Sequence, residues 1–162
     1  MTVVVDTNVP ITANKNLDYL PCAAQCANSL LQIMTVGTLL IDEGNLIFDE
    51  YRRHLSFSGQ PGPGDVFFKW LVDNRHNRNL VLQIKLAPAG NGQDEYAAFP
   101  SDQSLRNFDR SDRKFVALAL SYQGDSEILN AVDSDWWIFR DALERCGLRI
   151  RHLCGTARFS HR

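Results

Sequence analysis

Apolar and polar positions change their period several times along the chain, and each change marks an element. Thr2–Asp6 is a β-branched run that stops at a carboxylate, and its unbroken apolar character predicts a strand buried on both faces. Pro21–Met34 has helical spacing, with Pro21 suited to the first turn. Gly37 ends that helix, and Thr38–Ile41 reads as a second strand. Asn45 is placed to cap a helix through Leu55. Ser58–Gly64 holds two prolines and three glycines and is a loop. Asp65 then caps Val66–Asn74, and Leu80–Leu86 reads as a strand. Residues 87–107 are polar and broken by Pro88, Gly90, Gly92 and Pro100, a long loop of the kind that is often functional. Ser111–Tyr122 has a strong helical pattern, and Glu127–Val132 is a strand. Ser134 caps a helix to Arg145, which Gly147 closes. Leu148–Leu153 is the last strand. Strand and helix alternate throughout. The pattern predicts an α/β fold, a three-layer α/β/α sandwich with a mainly parallel central sheet. Ligands of such sheets bind beyond the carboxyl ends of the strands.

Length and composition narrow the function classes. The chain has 162 residues, 44% of them hydrophobic and 22% charged, which suits one globular domain and excludes wholesale disorder. We expect a single domain over 1–155 and a short basic tail over 156–162. The longest apolar run, Phe115–Leu120, is far too short to span a bilayer, so no membrane association is expected. The amino-terminal run meets Asp6 at once and has no basic stretch before it, unlike a signal peptide, which points to a cytoplasmic protein. In that compartment Cys22, Cys26, Cys146 and Cys154 are expected to be reduced, partly buried thiols. They form no CxxC pair, and Cys146…Cys154 with His152 is too loose a pattern for zinc. The net charge of −2 hides an asymmetry: 13 of the 17 basic residues are Arg, and from Arg145 onward there is no Asp or Glu. Arg145, Arg149, Arg151, Arg158 and Arg162 there form either a solvated basic end or a footprint for nucleic acid.

The carboxylates carry the chemistry. Strand one ends at Asp6; strand 127–132 ends at Asp133, with Asp135 two residues on. If the two strands are parallel neighbours, Asp6 and Asp133 face one crevice. On a wheel of about 100° per residue, Asp112 shares the apolar face of Phe115, Val116 and Ala119, where a carboxylate is costly unless paired. Glu50 falls at the margin of the apolar face set by Ile47, Phe48 and Tyr51, while Asp49 points to solvent. Asp6, Glu50, Asp112 and Asp133, with Asp135 nearby, are therefore expected to converge. Repulsion among them calls for a divalent cation, and hard oxygen donors select Mg²⁺ or Mn²⁺. Without these five acids the balance is 17 basic against 14 acidic residues, an acidic pit in a mildly basic body. That combination suits a phosphodiester.

These residues resemble the PIN-domain nucleases, metal-dependent ribonucleases that include many toxin components. The likeness rests on Val3-Val4-Val5-Asp6-Thr7-Asn8, on Asp49-Glu50-Tyr51, on Asp112-Arg113-Lys114-Phe115-Val116-Ala117-Leu118-Ala119 and on Val132-Asp133-Ser134-Asp135, in that order, from Thr2 to about Leu153. It implies a PIN-like fold and hydrolysis of single-stranded RNA, with Asp6, Glu50, Asp112 and Asp133 as catalytic acids. It implies Mg²⁺ or Mn²⁺ held by Asp6, Asp112, Asp133 and Asp135. Thr7 and Asn8 match positions that order the first acid and adjoin substrate. Arg110, Arg113 and Lys114 lie beside Asp112 and read either as solvated cations or as contacts to substrate phosphates. Toxin-type members imply an antitoxin protein as partner, and family members often form homodimers. Two features depart from the pattern. The family's hydroxyl residue two positions before the fourth acid is Ala131 here, which removes a hydrogen bond or passes it to Ser134. Segments 57–64 and 87–107 make the chain longer than a minimal toxin.

Other classes fit less well. A haloacid-dehalogenase-like phosphatase needs an acid where Asn8 stands. No G-x-S-x-G or G-x-x-x-x-G-K-[ST] motif is present, which leaves serine-hydrolase and P-loop chemistry without support. Trp136 and Trp137 read as partly core, with base stacking as the alternative. The competing reading from another class is a non-catalytic PIN-like binding or scaffold module.

Overall fold

The structure, a computed structural model, describes residues 1–15, 22–90 and 92–159. Its elements are β1 (Thr2–Val5), α1 (Asn8–Ala13), α2 (Ala23–Val36), β2 (Thr38–Asp42), α3 (Leu46–His54), α4 (Pro63–Asn74), β3 (Val81–Ile84), α5 (Arg113–Ser121), β4 (Glu127–Asn130), α6 (Asp135–Ile138), α7 (Arg140–Arg145) and β5 (Ile150–His152). The five strands form one sheet in the order β3-β2-β1-β4-β5, and every pairing is parallel. This is the expected α/β fold, and the strand order is consistent with a PIN-like arrangement. Helices α1, α2 and α4 pack on one another, while α5 lies across β1, β2 and β4 with α3 beside it. Val3, Val4 and Val5 are fully buried, which is why β1 reads as an unbroken apolar run rather than an alternating one. Each such side chain contributes about 1.5–3 kcal/mol of burial.

Strand order also sets the place of the crevice. From β1 the chain steps outward to β2 and β3, then returns to β4 on the other side of β1. The switch point of the sheet therefore lies between β1 and β4, beyond their carboxyl ends. Register pairs Val5 with Leu129 there.

Several local expectations are corrected. Helix α1 has no counterpart in the sequence pattern, because six residues containing Pro10 show too little period to read. Asn45 does not cap α3: it sits in the left-handed region, with φ 64°, and its side chain takes Arg75. Asp42, the last residue of β2, caps α3 by accepting from the Leu46 and Ile47 amides, both at 2.9 Å. Helix α4 begins earlier than expected, at Pro63. Asn14 caps it through the Gly64 and Asp65 amides, and Asp65 turns back to Gly62 and Ser56. Gly64 is required here, since a Cβ would lie 2.1 Å from the Pro10 carbonyl oxygen. The single helix expected over 134–145 is broken at Phe139, whose ring packs edge-on against Phe108 at 5.6 Å. Gly147 does close α7, with φ 94°. The strands expected over 80–86 and 148–153 are shorter at both ends, as β3 and β5, and the one expected over 127–132 starts at Glu127 but ends at Asn130. Within 87–107, Pro88 pairs with Tyr96 and a 3-10 turn spans Gln103–Leu105, so the segment packs on the core through buried Leu105.

The cysteine expectation is overturned in part. Cys22 and Cys154 form a disulfide, while Cys26 and Cys146 are free thiols. Helix α2 leads into the parallel strand β2, so it ends at the strands' amino edge and starts at their carboxyl edge. It begins beside the exit of β5, and the two Cα atoms lie 4.9 Å apart, within bridging reach. A separation of 132 residues hides this juxtaposition from the sequence. Among the described residues no helix is long and apolar enough to cross a membrane. The tail expected over 156–162 includes a 3-10 turn at Ala157–Phe159, with the Phe159 ring stacked on Trp137 at 6.1 Å. Ser160, His161 and Arg162 lie outside the described residues, as does Pro21.

Candidate functional site

Three acids meet at the switch point. Asp6 leaves the end of β1, Asp133 follows β4, and Asp112 closes a 3-10 turn that leads into α5. One carboxylate oxygen from each lies within 4.8 Å of the other two. Asp6 and Asp112 are buried and Asp133 is half-buried.

The surroundings of Asp6 are fully specified. Its Oδ1 accepts from the Asn8 amide at 2.9 Å, and its Oδ2 accepts from the Trp136 indole Nε1 at 2.6 Å. Burial raises its pKa to about 6, with Asp133 and Glu50 adding to the rise and the two donors opposing it. Asp112 is pushed further, to about 9, first by burial and then by Asp6 and Asp133. At neutral pH Asp112 thus keeps a proton, which it shares in a hydrogen bond with Asp133.

Asp133 is placed by a carboxamide network that the sequence reading missed. Asn130 is fully buried; its Nδ2 donates to the Asp133 carbonyl at 2.9 Å and its Oδ1 accepts from the Asp133 amide at 3.1 Å. Asn8 donates to Asn130 at 3.0 Å and accepts from the Ala131 and Val132 amides. These two asparagines fix the turn after β4, the task assigned above to a hydroxyl at position 131 or to Ser134. His152 Nδ1 lies 3.1 Å from Asn130 Nδ2, and burial lowers its pKa. A buried polar residue at the end of an apolar strand was the available signal for Asn130.

Glu50 reaches the margin of the cluster. Its carboxylate accepts from the Thr7 hydroxyl and, at 2.9 Å, from Lys114 Nζ. Lys114 is 8% exposed at its side chain and also donates to the Ser111 carbonyl. It lies against Glu50 because α3 and α5 are neighbours. Arg53, one turn from Glu50 on the same helix, is exposed, and Asp49 faces solvent beside Arg52. Arg113 donates to the carbonyls of Arg106 and Phe108 and stacks on Phe99, so it braces a loop. Asp135 is half-buried and gives its amide to Asp133 at 2.9 Å, but it stands outside the tight triad. Its pKa is raised by burial, then by Asp133 and Asp109. Trp136 is core, as expected, packing on Phe108 at 5.1 Å, and it has the additional role of holding Asp6. Tyr51 is fully buried; its hydroxyl donates to the Val5 carbonyl, and burial with the nearby acids drives its pKa well above the usual phenol value.

The donor set suits a hard divalent cation. Mg²⁺ holds oxygens at about 2.0–2.1 Å, which places two ligands of one ion up to about 4.2 Å apart. Carboxylate oxygens already within 4.8 Å need only small side-chain rotations to reach that spacing. No family model matches the chain, and no curated protein or solved structure does either.

Proposed function

We propose that the chain is a PIN-like, Mg²⁺- or Mn²⁺-dependent nuclease that hydrolyses phosphodiester bonds of single-stranded RNA. The observation that carries this reading is the convergence of Asp6, Asp112 and Asp133 from three separate elements into one crevice at the sheet's switch point. These three would hold the ion, with Asp135 adjoining. A divalent cation bound there would supply Lewis acidity toward the attacking water and the leaving 3′ oxygen. Trp136 and the Asn8 amide hold Asp6 as an acceptor aimed into the crevice, and Asn130 fixes Asp133. Thr7 and Lys114 orient Glu50, the remaining acid at the margin. Water attacks phosphorus in line and the P–O3′ bond breaks, leaving a 5′-phosphate and a 3′-hydroxyl. Arg113 and Lys114 are engaged within the protein, so the exposed Arg110 beside Asp112 is the better contact for the RNA backbone.

Purified protein is expected to cleave single-stranded RNA with Mg²⁺ or Mn²⁺ and to stop with EDTA. Asp6→Asn should remove cleavage and leave the fold intact. The scaffold reading draws on the Lys114–Glu50 ion pair, which satisfies one acid without any ion. It is favoured if clean protein cuts no RNA or single-stranded DNA and Asp6→Asn changes nothing measurable. A toxin role with an antitoxin partner, homodimer formation and a cytoplasmic setting go with the nuclease reading. A neighbouring small reading frame encoding an antitoxin is the observation that tests the first of these.

Asn130→Ala provides a check on positioning. It should weaken Mn²⁺ binding by about 10–100-fold, as loss of a partner behind a ligand does. Calorimetric titration of the variant against the parent measures this, with circular dichroism to establish that the sheet is intact.

A further inference from the structure

At the exit of β5 three sulfurs meet, none of them belonging to the acidic triad. Cys22 precedes the first turn of α2 and Cys26 lies one turn further on, so the two share a face of the helix. Cys154 follows β5. The three sulfurs all lie within 4.8 Å of one another. We propose that, once the Cys22–Cys154 disulfide is reduced, Cys22, Cys26 and Cys154 form a thiolate site for Zn²⁺.

Zinc–sulfur bonds of about 2.3 Å in a tetrahedron put sulfurs about 3.8 Å apart. The three cysteines meet that spacing with small side-chain rotations. Three protein ligands leave the fourth position to water or an added ligand. Cys22 and Cys154 are half-buried, which gives an ion access, whereas Cys26 is fully buried. Burial pushes the Cys26 thiol up to about 12, so it is a poor nucleophile for disulfide exchange. A soft cation is what makes its thiolate tolerable there. Cys22 also lies at the positive end of the 14-residue helix α2, which favours its thiolate. In either state the exit of β5 is tied to the start of α2: covalently when oxidised, through the metal when reduced.

The chemistry balances. A phosphine reductant breaks the S–S bond and becomes a phosphine oxide with oxygen from water, and the two sulfurs take up two protons. Binding Zn²⁺ then releases the three thiol protons.

The test uses the full chain, reduced with a phosphine and freed of metal, titrated with Co²⁺ as the spectroscopic probe. One equivalent is expected to give intense sulfur-to-cobalt charge-transfer absorption in the near ultraviolet, bleached by added Zn²⁺. Zn²⁺ should also raise the melting temperature of the reduced protein. Cys154→Ser and Cys26→Ser should each remove or sharply reduce the absorption, and Cys146→Ser should leave it unchanged. Oxidised protein, with two thiols by titration, should show none. Absence of the charge-transfer band in the reduced parent overturns the proposal, whatever the variants do. So does a band that persists undiminished without Cys26 and without Cys154. Cobalt bound at the acids alone gives no such band and counts against the site. RNA cleavage plays no part in the readout, so this outcome and that of the nuclease reading are independent.

Discussion

Asp112→Asn is expected to abolish metal-dependent RNA cleavage while making the metal-free protein more stable at neutral and alkaline pH. Loss of activity should exceed about 100-fold, beyond what removing an outer hydrogen-bond partner costs. The stability gain follows from linkage. Asp6 and Asp112 have folded-state pKa values raised from 3.8 to about 6 and about 9. Raised values mean that the folded state binds these protons more tightly than the unfolded chain does. Their contribution is complete below the unfolded carboxylate range and is lost as pH climbs through the folded values. The metal-free parent should therefore lose melting temperature between about pH 5 and pH 9. Asparagine at 112 removes the larger part of that slope. The gain should be roughly 2–4 °C for each kcal/mol of repulsion relieved, in a domain of this size. Mg²⁺ should act in the opposite sense: ligation requires ionised carboxylates, so its stabilisation of the parent should be greater at about pH 8 than at about pH 5.5. Melting curves across pH, with and without Mg²⁺, separate these effects. A parent whose metal-free stability rises steadily to pH 9 would contradict the crevice electrostatics described here.

Lys114→Met is expected to destabilise the protein rather than to weaken RNA binding alone. Its ammonium and the Glu50 carboxylate are 2.9 Å apart, with side chains 8% and 18% exposed. Removing one partner of a buried pair costs about 3–5 kcal/mol, because the other is left desolvated and unpaired. The residual exposure of Glu50 places the expected loss at the lower end, about 3 kcal/mol, or roughly 10 °C in melting temperature. Adding Glu50→Gln should recover most of it, giving a large coupling energy in a double-mutant cycle. A phosphate-contacting lysine would behave otherwise: melting would be unchanged, and RNA affinity would fall with a shallower salt dependence.

These two residues show where sequence reading succeeds and where it stops. Asp112 was legible because the period of α5 put a carboxylate among Phe115, Val116 and Ala119, a placement that needs a physical reason. Lys114 lies two residues on, off that stripe, and read as a solvated or phosphate-facing cation. Its burial comes from α3, which covers that side of α5 and presents Glu50. Asp42 lies just past the strand read at Thr38–Ile41; it is the last residue of β2 and the cap of α3, while Asn45 read as the cap and is not.

The sequence by itself determined the strand–helix alternation, the buried parallel sheet and the acids at the ends of β1 and β4. Each of these is written in local period and in where an apolar run stops, and local pattern survives folding. Tertiary structure alone decided which acids form the tight triad, which cation sits on Glu50, that Asn8 and Asn130 brace the turn after β4, and that Cys22 meets Cys154. Those outcomes depend on distances between segments tens of residues apart. Such distances are set by strand order and helix packing, and no periodicity along the chain encodes them.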